Sequence, residues 1–244
     1  MNKTGIEWCT HTWNPISGCQ RNCSYCYARK LAETRLKDIY PFGFAPTFYQ
    51  QRLNKKPPGD PSRIFVGSMG DLFGNWDWIY YNPSSLQYNS TISRNTVIEC
   101  ILNYVRQWPQ HTFIFLTKSP EGMYGYEFPN NCWCGITITD RGDTYKIPLL
   151  SEVNCKTKFV SFEPILDPHT LYNDIGYNRF ENINWAIIGL ETGSNKHKYD
   201  DSFKGHLSMF ITKLNTWFET PVFIKDSVYK VYPDLPQFRE YPDV

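Results

Sequence analysis

The chain has 244 residues, a formal net charge of +1, eight cysteines and 17% aromatic residues. This length suits one generous domain or two small ones and is enough to bury a large core. The near-neutral charge argues against non-specific duplex binding through a basic face, and no segment approaches the roughly 20 apolar residues of a membrane span.

In chain order, the opening "MNKTGIEW" (1–8) has no apolar signal region, so the chain is expected to be cytoplasmic, where thiols stay reduced. Clustered cysteines there point to metal or catalysis rather than to disulfides. A first strand is expected near "HTWNP" (11–15). It is followed by "SGCQRNCSYCYARK" (17–30), in which Cys19, Cys23 and Cys26 have the spacing C-x3-C-x2-C and Tyr25 precedes the third. With eight cysteines in 244 residues, chance supplies such a triplet on the order of 0.01 times. Thiolates bind zinc or iron–sulfur clusters. Structural zinc takes four protein ligands and the local motif offers three. An iron–sulfur cube held by three cysteines keeps one iron open, where a chelating substrate or cofactor would sit.

A helical pattern covers 26–39. Beyond it, "RIFVGSM" (63–69), "TFIFLTK" (112–118), "WCGITIT" (133–139), "KFVSFEP" (158–164), "NWAIIGLE" (184–191) and "PVFIKD" (221–226) are short apolar runs. They read as continuously buried strands, the mark of parallel sheet. Helical patterns at 95–108 and 207–218 lie between several of them, and the alternation argues for βαβ units. No linker or repeat divides the chain. The expected fold is α/β, one domain over 1–244, a partial or complete parallel (β/α) TIM-like barrel of about six to seven strands. In such barrels chemistry sits at the C-terminal strand ends. Those ends carry Asp71, Lys118, Thr137, Thr139, Glu163, Glu191 and Lys225. A buried ammonium needs a carboxylate, so Lys118 and Lys225 are each expected to meet one. His111 precedes its strand and falls at the opposite face. The stretch 74–95, rich in Trp, Tyr, Asn and Ser, reads as a lid or insertion. Cys100 is expected in the core face of the 95–108 helix, and Cys9 as a small buried hydrophobe.

The arrangement of Cys19, Cys23, Tyr25 and Cys26 resembles the signature of radical S-adenosylmethionine (SAM) enzymes. "GIEWCTHTWNPISGC" (5–19) more narrowly resembles a phage- and prophage-associated branch of that superfamily whose substrate is not established, distantly like spore photoproduct lyase. Further echoes are "RIFVGSMGDLF" (63–73), "PQHTFIFLTKSP" (109–120), "CWCGITIT" (132–139), "KFVSFEPIL" (158–166), "WAIIGLETG" (185–193) and "PVFIKD" (221–226). The resemblance implies a [4Fe–4S] cluster on Cys19, Cys23 and Cys26, with SAM chelated at the open iron. Reductive cleavage of SAM would then give a 5′-deoxyadenosyl radical for hydrogen abstraction. Tyr25 would lie near the adenine, and Ser68, Met69, Gly70 and Asp71 match the segment that receives the SAM amino group. Thr137 and Thr139 fall on the cofactor side, and Lys118, Glu163, Glu191 and Lys225 on the catalytic rim. The electron would come from a flavodoxin- or ferredoxin-like donor. The branch points to a nucleobase substrate, free or in nucleic acid, and the basic stretch Arg52, Lys55, Lys56 and Arg63 offers a guide for a strand.

The chain departs from the branch at Leu190, where a second glycine is expected, and at Cys9, where a threonine is usual. A rival reading joins Cys132 or Cys134 to the triplet as a zinc site, making a structural or nucleic-acid-associated module without catalysis.

Overall fold

Runs of Val, Ile and Phe set the framework, because such side chains fill a pleated surface that is buried. The structure, a computed structural model, describes residues 1–83, 90–176, 180–192 and 199–243. The chain divides into two units, Met1–Cys132 and Trp133–Val244. Each is a mixed α/β arrangement on a mostly parallel sheet.

In the first unit, β1 (Asn2–Lys3) pairs antiparallel with β2 (His11–Trp13). β3 (Ile16–Ser17) leads into the cysteine segment, and α1 (Tyr27–Glu33) follows it. Next come β4 (Thr47–Phe48), β5 (Arg63–Val66), β6 (Trp78–Tyr80) and β7 (Thr91–Ile92). The unit closes with α2 (Arg94–Arg106) and β8 (Thr112–Thr117). β2 pairs parallel with β5, and β5 with β8, in the register Trp13↔Val66 and Val66↔Phe115. A smaller sheet runs β3-β4-β6-β7. The 74–95 segment expected as a lid lies partly outside the described residues, at 84–89. Its described ends form β6 and β7, antiparallel neighbours with Trp78 fully buried.

α2 forms where 95–108 was expected. Ser93 caps it by accepting from the Thr96 N–H, and Val97, Ile98, Ile101, Leu102 and Val105 make its buried stripe. Cys100 corrects the expectation, because it stands beside that stripe and is only half-buried. α1 is shorter than the 26–39 pattern. It stops at Thr34, whose hydroxyl bonds back to the Lys30 carbonyl while its own backbone leaves the helical region.

In the second unit, β9 (Cys132–Thr137, starting one residue before the boundary), β10 (Thr157–Phe162), β11 (Trp185–Ile188) and β12 (Val222–Ile224) are consecutive parallel neighbours. Every residue of β9, β11 and β12 is buried. Between them run α3 (Lys146–Ser151), α4 (Pro168–Asp174) and α5 (Asp201–Thr212); α6 (Asp226–Tyr229) follows β12. α5 begins earlier than the 207–218 pattern. Its first turn is polar apart from Phe203, and Asp200 caps it through the Phe203 N–H at 2.8 Å. A single π-turn, Lys213–Trp217, continues it. Among the described residues no helix is long and apolar enough to cross a membrane.

Candidate functional site

The cysteine loop is anchored before its first sulfur. Gly18 adopts φ +87°, its N–H donates to the Met69 carbonyl at 2.9 Å, and its backbone bridges Gly70. A Cβ on Gly18 would stand 2.2 Å from the Ala45 oxygen, and one on Gly70 2.5 Å from the Gly18 oxygen. Only glycines let these two segments touch. The loop therefore lies against the turn that follows β5.

Cys19 donates its N–H to the Phe44 carbonyl at 3.1 Å. Its sulfur accepts the Arg21 N–H at 3.3 Å, and the Cys26 sulfur, capping α1, accepts the Arg29 N–H at 3.4 Å. All three cysteines are partly exposed. Cys19 and Cys26 rest on a buried cluster of Ala28, Ala32, Tyr40, Phe44, Tyr49 and Met69. Burial pushes the Cys19 thiol up to about 11, against the Arg21 N–H that favours its thiolate. A metal must displace that proton, because the thiolate is the ligand.

Among the described residues no three His, Cys, Asp or Glu side chains are gathered as a single metal ion would need. Cys132 and Cys134, the thiols of the rival zinc reading, are buried in β9. A tetrahedral ion with bonds of about 2.3 Å draws its sulfurs close together, whereas a cube takes each cysteine on a different iron.

Around the loop, the structure brings several expected residues together. Lys118, just after β8, donates its ammonium to the Tyr25 hydroxyl, and the nitrogen sits 4.9 Å from the Tyr25 ring centroid. Asp71 is buried. It accepts from the Thr117 hydroxyl at 2.6 Å, the Lys118 N–H at 3.1 Å and the Phe73 N–H at 3.2 Å. The carboxylate near Lys118 therefore meets its peptide N–H. The Ser68 hydroxyl donates to Asn14, and the Ser68 carbonyl accepts from the Tyr27 hydroxyl at 2.6 Å. Met69 is buried.

Arg21 and Arg29 were not expected. The Arg21 guanidinium donates to the Lys118 carbonyl and the Ser119 hydroxyl; Arg29 donates to the Arg21 carbonyl at 3.0 Å and lies over Phe44. Their one visible signal was position, two arginines close to the cysteine triplet in sequence. Arg52, offered as part of a strand guide, instead stacks on Tyr49 at 3.9 Å and donates to the Asn14 carbonyl.

In the second unit, Glu163 after β10 pairs with Lys225 after β12, so Lys225 does meet a carboxylate. Gly189, after β11, makes room: a Cβ there would come within 3.1 Å of both side chains. Thr137 is buried at the end of β9. Thr139 gives its N–H and hydroxyl to Asp143 at 3.0 and 2.8 Å, which closes the turn before α3. The Glu191 N–H donates to the Tyr199 hydroxyl, and the unexpected Leu190 is buried with its N–H on Ser227. His111 is buried at the start of β8, the end opposite Lys118, and burial lowers its pKa.

Among solved structures, spore photoproduct lyase complexed with dinucleoside spore photoproduct is similar, with a TM-score of 0.58 at 10% identity; the likeness covers 91% of this chain and 78% of that one. A spore photoproduct lyase double mutant with bound AdoMet and dinucleoside spore photoproduct gives 0.50 at 11% identity, over 87% of this chain and 63% of that one. At such identities the likeness is one of fold. No curated protein matches the chain. The family model described as "Protein of unknown function (DUF5131)" matches residues 3–219, and the chain belongs to that family.

Proposed function

We propose that this protein is a radical SAM enzyme of the phage-associated branch, with Cys19, Cys23 and Cys26 holding a [4Fe–4S] cluster. The observation that carries the reading is the seat of the cysteine loop. It is locked through Gly18 and Gly70 to the turn after β5, and it meets the end of β8 through Tyr25 and Lys118. That is the C-terminal end of parallel strands, where α/β sites form. The fold likeness to spore photoproduct lyase supports the same reading, as it does a single barrel-type domain of six to seven strands.

When bound, the cluster and SAM supply reductive cleavage of the sulfonium to methionine and a 5′-deoxyadenosyl radical, which abstracts hydrogen. The chain's own residues do the placing. Lys118 presents a cation beside the Tyr25 ring, suited to a carboxylate lying near an aromatic face. The apolar cluster beneath Cys19 and Cys26 covers one side of the loop that carries the sulfurs. Ser68 to Asp71 form the turn against which an amino group would rest, with Thr137 and Thr139 on the cofactor side. Glu163 with Lys225, and Glu191, offer acid–base and anion-binding groups for substrate. We assign the substrate to the nucleobase class, because the neighbours of like fold hold a dinucleoside photoproduct. The electron comes from a flavodoxin- or ferredoxin-like carrier.

Anaerobic reconstitution with iron and sulfide tests this. The wild type should turn brown, bind about four irons per chain, and change its electron paramagnetic resonance signal on adding SAM. Cys19→Ala, Cys23→Ala and Cys26→Ala should each lose the cluster, while Cys155→Ala keeps it. Full iron loading in any triplet variant, or stoichiometric zinc in the wild type, overturns the assignment.

A further inference from the structure

We propose that Arg21 is a positioning residue that clamps the cysteine loop to the ends of β5 and β8. The clamp rests on the geometry of the loop. Only its effect on a cluster rests on the reading above.

Arg21 lies between the first two cysteines, and its contacts run in three directions. Its peptide N–H holds the Cys19 sulfur at 3.3 Å, and its carbonyl accepts from Arg29 at 3.0 Å. Its guanidinium donates to the Lys118 carbonyl at 3.1 Å and to the Ser119 hydroxyl from the same nitrogen. Its Nε, shielded from solvent, lies 3.8 Å from Asp71 Oδ2. Asp71 is itself fixed to β8 by Thr117 and the Lys118 N–H. One planar fork therefore spans two strand ends, a task for which the rigid guanidinium is built and a lysine's point charge is not. The ion pair is partly exposed, so the directed hydrogen bonds carry more of the clamp than the charge does.

A residue so placed has two consequences. Its side chain decides how firmly Cys19 is held when no metal is present. Its positive charge, next to a ligand cysteine, stabilises the reduced form of a bound cluster, since net charge and N–H···S bonds set such potentials.

The first consequence is tested on metal-free protein by timing alkylation of each cysteine with mass spectrometry. Arg21→Gln should raise the rate at Cys19 several-fold, leave Cys155 unchanged, and be rescued only in part by Arg21→Lys. Ser119→Ala, which removes one acceptor and spares the arginine, should move Cys19 in the same direction by less. Wild-type alkylation at Cys19 in both Arg21→Gln and Ser119→Ala overturns the clamp. A parallel rise at every cysteine, which would signal general loosening, overturns it too. The second consequence is read on reconstituted protein. Arg21→Gln should lower the midpoint potential, and Arg21→Lys should hold it near wild type. An unchanged potential in Arg21→Gln overturns the electrostatic role. A wild type that takes up no iron refutes the cluster reading, while the alkylation result still decides the clamp.

Discussion

Asp71 offers the sharpest test of how the site is held. Its carboxylate receives three donors, the Thr117 hydroxyl at 2.6 Å, the Lys118 N–H at 3.1 Å and the Phe73 N–H at 3.2 Å, in a buried position. Asp71→Ala strands two peptide N–H groups that cannot turn elsewhere; the hydroxyl can rotate to another partner. An unsatisfied buried donor costs about 1–3 kcal/mol, so two set an expected loss of about 2–5 kcal/mol after partial relaxation. Asp71→Asn keeps one oxygen, facing Thr117 and Phe73, but turns an amide N–H₂ toward the Lys118 N–H, for about 1–3 kcal/mol. Urea unfolding of metal-free protein, followed by the fluorescence of its eight tryptophans, measures both. Thr117→Val combined with Asp71→Ala should cost less than the two single changes summed, because both remove the same Thr117–Asp71 bond. A cost below about 0.5 kcal/mol for Asp71→Ala, the range of an ordinary surface change, would refute the role of Asp71 as the hub of this turn.

Three more outcomes are expected. Gly189→Ala forces a Cβ to within 3.1 Å of Glu163 and Lys225; a midpoint drop equivalent to about 1–3 kcal/mol is expected, and an unchanged midpoint would mean the pair shifts freely. Lys118→Met should weaken SAM affinity by about 1.5–3 kcal/mol while the cluster stays bound, measured by calorimetry on reconstituted protein; unchanged affinity would move Lys118 to the substrate side. Asp143 titrates below its ordinary value: burial opposes this, but the Lys146 ammonium and the Thr139 N–H and hydroxyl outweigh it. Its contribution to stability is therefore full above about pH 4 and is lost as the pH falls toward the lower folded value. Thr139→Val should shrink the difference in urea midpoint between pH 6 and pH 3, and an identical difference would count against Asp143.

The strand framework was legible because a buried parallel strand must be apolar along its whole length. The runs at 63–69, 112–118 and 184–191 each contain the observed strand. The starts of helices were less legible. The first turn of α5, polar apart from Phe203, shows its cap only once Asp200 is seen to hold the Phe203 N–H. Cys100 was misjudged for a related reason: one residue of offset on a helix turns a side chain by about 100° and takes it off the buried stripe.

Residue types at fixed short spacing, read from the chain alone, determined the cysteine triplet and its neighbour Tyr25, since three thiols within eight residues must share one loop whatever surrounds it. Which residues hold that loop was decided only in three dimensions. Arg21 reaches Lys118 across 97 residues, Asp71 reaches Thr117 across 46, and Lys225 reaches Glu163 across 62. Such partners are chosen by sheet register and by room that glycines leave, and periodicity within a local window reports burial but carries no record of which distant strand end comes to lie alongside.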